Sequence, residues 1–169
     1  MQVNVSGLLK SPLGTKRNYQ VSDVINISGG DNLVQGEVEL TRTDRGILVR
    51  ARLSTEVEVT CSRCLVSFRY PLNLSFEEEY FPVIDIVSGS SLPSPEEPGS
   101  FTIDPNHTLD LTEAVCQYVL LALPMKPLCR VDCAGLCPAC GRNLNQGPCA
   151  CPPQKLDLRW ERLKKLAFD

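Results

Sequence analysis

The sequence predicts an α+β fold: an antiparallel N-terminal sheet, one central helix, a cysteine-rich zinc-knuckle lobe and a short basic helix at the C-terminus. Three observations lead to this prediction. Apolar and polar residues alternate along several segments before residue 80, an amphipathic segment follows residue 109, and six of the nine cysteines lie within residues 129–151. Alternation with period two indicates half-buried strands, whereas a period near 3.6 indicates a helix.

The sheet is predicted from five alternating segments. Between the third and the fourth, Thr43-Asp44-Arg45-Gly46 has the composition of a hairpin turn. The predicted strands cover residues 2–9, 19–27, 33–42, 47–60 and 66–80. They form a meander in which the first C-x2-C pair, Cys61 and Cys64, lies at a corner between two strands.

The two helices follow from their apolar faces. The first begins near Leu109, with Asp110 at its N-terminal cap, and ends before Pro124. Cys116 lies outside the apolar face of this helix and is interpreted as a small buried residue. The second covers residues 156–168, with an apolar face opposite a basic one.

The chain is expected to divide into two parts, residues 1–125 with the sheet and central helix, and residues 126–169 with the cysteine-rich lobe. Residues 82–106 are expected to form a flexible acidic loop, because serine, glycine and proline leave little apolar surface to bury. Residues 73–125 carry nine acidic side chains and no basic ones, whereas residues 126–169 carry eight basic and four acidic ones. Local positive charge permits contact with phosphate.

The cysteines favour metal binding over disulfides. No apolar run reaches membrane-spanning length, and the N-terminus lacks a signal-peptide pattern, so a soluble, cytoplasmic protein without a membrane partner is expected. Disulfides are rare in a reducing compartment. The knuckle Cys137-Pro138-Ala139-Cys140-Gly141 places two sulfurs within reach of one tetrahedral ion, and its glycine permits a tight backbone turn.

Eight cysteines form four sequence pairs, which suit two sites of four thiolates each. The favoured grouping joins Cys137 and Cys140 to Cys149 and Cys151, and Cys61 and Cys64 to Cys129 and Cys133. A single zinc with some cysteines idle is the alternative. Four thiolates leave no open coordination position, so one or two structural Zn²⁺ ions are expected.

The sequence offers little for catalysis. Its one histidine, His107, lies in a loop, and neither a Walker loop nor a G-x-G-x-x-G motif is present. A non-enzymatic protein without a small-molecule substrate is therefore expected.

Three features in this order resemble the YceD-like family, the large ribosomal RNA subunit accumulation proteins. They are the corner at residues 61–65, the helix end Leu121-Ala122-Leu123-Pro124 before Cys129, and the segment from Cys137 to Asn145 with Cys149 and Cys151. The resemblance covers the chain from about residue 15 to the C-terminal helix. It implies a non-enzymatic factor for accumulation or processing of the 23S ribosomal RNA precursor. Its partner would be this RNA or a large-subunit ribosomal protein.

The resemblance directs attention to Arg63, which lies between two candidate ligands and could grip phosphate, or instead pair with Glu58. Other candidate RNA contacts are Arg142, Arg159, Arg162, Lys164 and Lys165. Two alternatives stay open. A zinc-ribbon adaptor would bind only protein, and a rubredoxin-like electron carrier would hold iron.

Overall fold

The computed structural model describes residues 1–27, 29–93 and 99–152 and corrects the predicted fold class. Strands account for 47% of the structure and helices for 12%, and the strands form one curled sheet. The fold is therefore mostly β, and the α+β prediction is wrong. Four long strands hold most of the residues in regular structure, whereas the central helix has only 11 residues. The predicted C-terminal helix lies outside the described residues.

The sheet has the strand order β1-β7-β6-β5-β4-β3-β2. The pairs β1–β7, β2–β3, β3–β4 and β6–β7 are antiparallel, and β5–β6 is parallel. The elements are β1 (Gln2–Asn4), α1 (Ser6–Leu9), β2 (Lys16–Ile27), β3 (Gly30–Arg42), β4 (Ile47–Thr60), β5 (Ser67–Pro82), β6 (Phe101–Ile103), β7 (Thr108–Asp110), α2 (Thr112–Ala122) and a 3₁₀ turn (Leu144–Gln146).

The four long strands confirm the alternation found in the sequence. Along β4, buried residues alternate with exposed ones from Ala51 to Glu58. In the antiparallel register, Leu40 lies opposite Val49 and Val38 opposite Ala51, so apolar side chains of neighbouring strands share one face. Cross-strand apolar pairs of this kind hold the register of a sheet.

The ends of the sheet depart from the prediction. Residues 2–9, predicted as one strand, form β1 and then the short helix α1. Within the predicted acidic loop, β6 pairs with the end of β5, where the rings of Tyr80 and Phe101 stack with centroids 5.1 Å apart. The helix starts later than predicted because residues 108–110 form β7, although the Asp110 carboxylate still accepts a hydrogen bond from the Thr112 amide, 2.9 Å away.

The chain forms two compact units, unit 1 (Met1–Val59 and Phe68–Pro127) and unit 2 (Thr60–Ser67 and Leu128–Asp169). The apolar core found among the described residues consists of unit 1 side chains, contributed by the sheet, α1 and α2. In α2, the buried residues are Ala114, Val115 and Val119. No helix in the described part of the chain is long and apolar enough to cross a membrane.

Candidate metal centres

Unit 2 gathers eight cysteine sulfurs into two groups of four. Group A consists of Cys61, Cys64, Cys129 and Cys133, and group B consists of Cys137, Cys140, Cys149 and Cys151. Within each group all sulfurs lie within 4.8 Å of one another, and either group could hold a metal ion. These are the two sets that the spacing favoured. The ninth cysteine, Cys116, lies in α2 of unit 1.

The sulfur separations suit coordination of an ion. The Sγ atoms of Cys61 and Cys133 are 3.8 Å apart, those of Cys64 and Cys129 3.6 Å, and those of Cys137 and Cys149 3.3 Å. Zn–S bonds of about 2.3 Å place the sulfurs of a tetrahedral site about 3.8 Å from one another. A disulfide requires about 2.0 Å, and all these cysteines are free.

The first C-x2-C segment forms a knuckle whose backbone turns back on itself. The Leu65 amide donates to the Cys61 carbonyl over 3.0 Å, and the Cys61 amide donates to the Val66 carbonyl over 2.9 Å. Leu65 has a φ of +58°, in the left-handed region that non-glycine residues seldom adopt. This turn aims both sulfurs of the knuckle towards the same point.

The second knuckle repeats this pattern at Cys137. The Gly141 amide donates to the Cys137 carbonyl over 2.9 Å, and the Cys137 amide donates to the Arg142 carbonyl over 2.8 Å. Gly141 has a φ of +72° and occupies the place that Leu65 has in the first knuckle. Glycine carries no steric penalty in this conformation, whereas leucine does. Each group therefore combines one knuckle with one further pair of cysteines.

Leu65→Gly should stabilise the metal-loaded first knuckle by about 0.5–1 kcal/mol. This net gain is the backbone strain that the substitution removes minus the larger conformational entropy that glycine gives to the unfolded chain. Little packing is lost, since Leu65 is 65% exposed. Chemical denaturation of the metal-loaded protein, followed by a probe of unit 2, measures the change. Val66→Gly is the control and should destabilise unit 2, because Val66 has no positive φ to relieve. Equal destabilisation by both substitutions would contradict the strain at Leu65.

Asn145 supports group A by contacting one of its sulfurs, although it is not itself a ligand candidate. Its Nδ2 donates to the Cys133 Sγ over 3.3 Å and to the Asn143 Oδ1 over 2.9 Å. Its Oδ1 accepts from the Ala134 amide over 2.8 Å and from the Arg130 Nη2 over 2.6 Å. Such outer contacts orient a metal ligand and tune its basicity. The sequence had not assigned this role to Asn145 or Arg130; an asparagine four residues after a knuckle glycine is the only signal it offers.

Arg63 also contributes to group A. Its Nη1 donates to the Cys133 carbonyl over 3.0 Å, which ties the first knuckle to the loop of the second ligand pair. The backbones approach closely here, since a Cβ on Gly135, whose φ is +75°, would lie 3.2 Å from the Arg63 carbonyl oxygen. In the described part of the chain no ion pair joins Arg63 to Glu58, the alternative partner considered from the sequence.

Hydrogen bonds to sulfur divide the thiols of each group into acidic and weakly acidic ones. In group A, burial opposes ionisation of Cys61, but amide N–H groups, that of Cys129 foremost, lower its pKa to about 6. Burial and the neighbouring thiols raise the pKa of Cys129 to about 12. The side chain of Asn145 lowers the pKa of Cys133.

The same division is present in group B. The amide N–H groups of Cys140 and Ala139 lower the pKa of Cys137 to about 6. The neighbouring Cys140 raises the pKa of Cys151 to about 12, with burial as the second cause. Four like-charged thiolates repel one another without a cation between them, so each group holds some of its protons until a cation binds.

The predicted RNA contacts are only partly within the described residues. Arg63 and Arg142 are exposed in unit 2. Arg159, Arg162, Lys164 and Lys165 lie outside the described residues. His107 belongs to neither group.

Comparison with known proteins identifies relatives. The family described as "Large ribosomal RNA subunit accumulation protein YceD" matches residues 49–167. Uncharacterized proteins of Mycobacterium bovis and Mycobacterium tuberculosis are 29% identical over 134 residues, which cover 79% of this chain and 62% of each relative. One from Mycobacterium leprae is 25% identical over 128 residues, covering 75% of this chain and 56% of the relative. The chain thus spans about 62% of the length of the first relatives. No solved structure matches it significantly.

Proposed function

Because the chain belongs to the YceD family, we propose that it is a non-enzymatic factor for accumulation or processing of the 23S ribosomal RNA precursor, and hence for large-subunit assembly. The family name states a role in accumulation of the large ribosomal RNA subunit and does not specify the step. We further propose that zinc ions in groups A and B stabilise unit 2, and that the protein acts in the cytoplasm.

One observation carries the proposal of structural zinc. In the described part of unit 2, every buried hydrophobic side chain is a cysteine ligand candidate: Cys61, Cys64, Cys133 and Cys137. A segment of this size without an apolar core lacks the main favourable term in folding. Metal coordination supplies that free energy in small domains. Four thiolates close the coordination sphere, which supports a structural ion over a catalytic one.

The proposed contact with RNA is supported by the family name and by charge. In the described part of unit 2, Asp132 is the one acidic residue, beside three arginines, Arg63, Arg130 and Arg142. The guanidinium of Arg63 has five N–H groups, and one is used on the Cys133 carbonyl. An arginine fixed in this way can offer the others to a phosphate with little loss of side-chain entropy.

The test measures binding of zinc-loaded protein to fragments of the large-subunit RNA precursor at several salt concentrations. We expect affinity to fall with salt, and the double variant Arg63→Ala/Arg142→Ala to lower the log–log slope by about 1.4, since each phosphate contact on single-stranded RNA contributes about 0.7. Arg69→Ala is the control, because Arg69 is exposed in unit 1.

Other outcomes of this experiment would redirect the proposal. A wild-type affinity that does not depend on salt would contradict phosphate contact. No binding to RNA, with binding to an isolated large-subunit ribosomal protein, would favour the adaptor that binds only protein.

A further inference from the structure

Groups A and B differ in how well their sulfurs are shielded from solvent. In group A, Cys61, Cys64 and Cys133 are 0%, 4% and 2% exposed. In group B, Cys137 is 6% exposed, Cys140 is exposed, and Cys149 and Cys151 are partly exposed. An oxidant in solution therefore reaches a sulfur of group B directly, whereas group A offers only Cys129, which is partly exposed.

The groups also differ in the hydrogen bonds that their sulfurs accept. In group A, the side-chain amide of Asn145 donates to the Cys133 sulfur over 3.3 Å. Among the described residues, no side-chain N–H group donates to a sulfur of group B, where the sulfurs of Cys149 and Cys137 contact each other over 3.3 Å. A hydrogen bond withdraws electron density from a thiolate and lowers its nucleophilicity.

The backbone that carries the last two ligands of group B is held weakly. The last backbone hydrogen bond before them runs from the Gly147 amide to the Leu144 carbonyl over 3.4 Å. Among the described residues, 148–152 form no further backbone hydrogen bond. The sulfurs of Cys149 and Cys151 can thus move the roughly 2 Å that separates a coordinated pair from a disulfide without breaking secondary structure.

We propose that group B is a peroxide-sensitive metal site, in which Cys140 is oxidised, forms a disulfide with Cys151 and releases the zinc ion, while group A keeps its own. Cys140 is the exposed cysteine of group B. The sulfur of Cys149 contacts that of Cys137 over 3.3 Å, which leaves Cys151, whose sulfur lies within 4.8 Å of that of Cys140, as the partner for the disulfide. This inference rests on the proposed function, because it takes both groups to hold zinc.

The reaction balances with hydrogen peroxide as the oxidant. The Cys140 thiolate attacks one peroxide oxygen, the O–O bond breaks, and a sulfenic acid and hydroxide form. The Cys151 thiolate then attacks that sulfur, the S–S bond forms, and a second hydroxide leaves. Two electrons pass from the two sulfurs to the peroxide, and two solvent protons convert both hydroxides to water. The ion dissociates because only Cys137 and Cys149 remain to hold it. A dithiol reductant returns the two electrons and restores the site.

The experiment treats zinc-loaded full-length protein with a small excess of hydrogen peroxide and follows zinc release with a chromogenic chelator. We expect one ion per chain to leave in a fast phase, and the second at least about tenfold more slowly. Peptide mass spectrometry should find the Cys140–Cys151 disulfide. Cys116→Ser is the matched control, since it removes the thiol that belongs to neither group and should leave both phases unchanged.

The zinc content measured before peroxide is added separates two kinds of failure. Protein without zinc would contradict the proposed metal function and this inference with it. Protein that holds two zinc ions and loses both at one rate, or neither, would contradict only this inference. A first disulfide within group A, or one that leaves Cys140 free, would overturn it too.

Discussion

Replacing Cys61 by serine should remove one zinc ion per chain and destabilise unit 2, while the sheet of unit 1 stays folded. A structural Cys₄ zinc site contributes on the order of 10 kcal/mol of apparent binding free energy at neutral pH, and loss of one of four thiolates forfeits much of it. The described part of unit 2 has no apolar core to compensate. Elemental analysis gives the metal content, and limited proteolysis with circular dichroism reports which unit unfolds.

The parallel Cys116→Ser variant should keep its full metal content, because Cys116 lies outside both groups. Close to two zinc ions per wild-type chain would support both groups as sites. Iron instead of zinc, visible as colour, would favour the rubredoxin-like electron carrier. Loss of the whole fold in Cys61→Ser would contradict the expectation that unit 1 folds without unit 2, which rests on a core that, among the described residues, contains none from unit 2.

The affinity of the metal-free protein for zinc should fall by at least about tenfold for each pH unit below neutrality, because each ion displaces one or more protons. At pH 7 the thiols of Cys129 and Cys151, with pKa values of about 12, still hold their protons. The metal-bound state carries fewer protons than the free state, so affinity rises with pH and falls with acid.

The slope should steepen below about pH 6. Cys61 and Cys137 have pKa values of about 6, so they are mostly ionised at pH 7 and add a further proton to each displacement only in acid. Competition with a chelator of known affinity between pH 5.5 and pH 8 measures the curve, and an indicator in weak buffer counts the protons. Cys116→Ser should give the same curve. A flat affinity between pH 6 and pH 8 would show that thiolates are not the ligands.

The candidate sites were more predictable from the sequence than the fold class was. The geometry of a C-x2-C knuckle is local, because a short backbone turn places both sulfurs near one ion independently of the rest of the fold. The turn glycine at Gly141 signals the same geometry, whereas the strained Leu65 gives no such signal. Asn145 could not be recognised in advance, since its role depends on contact with Cys133, twelve residues earlier in the chain.

The sequence by itself determined the long strands, because residues that alternate between core and solvent must follow the period of a strand. It also determined that the cysteines come in pairs. Only the tertiary structure decided how the sheet continues beyond β5, since β6 and β7, three residues each, are too short to carry a period and exist because neighbouring strands offer them hydrogen-bonding partners. The tertiary structure likewise brings Cys61 next to Cys133, 72 residues away, because such pairing depends on how the whole chain closes and not on local spacing.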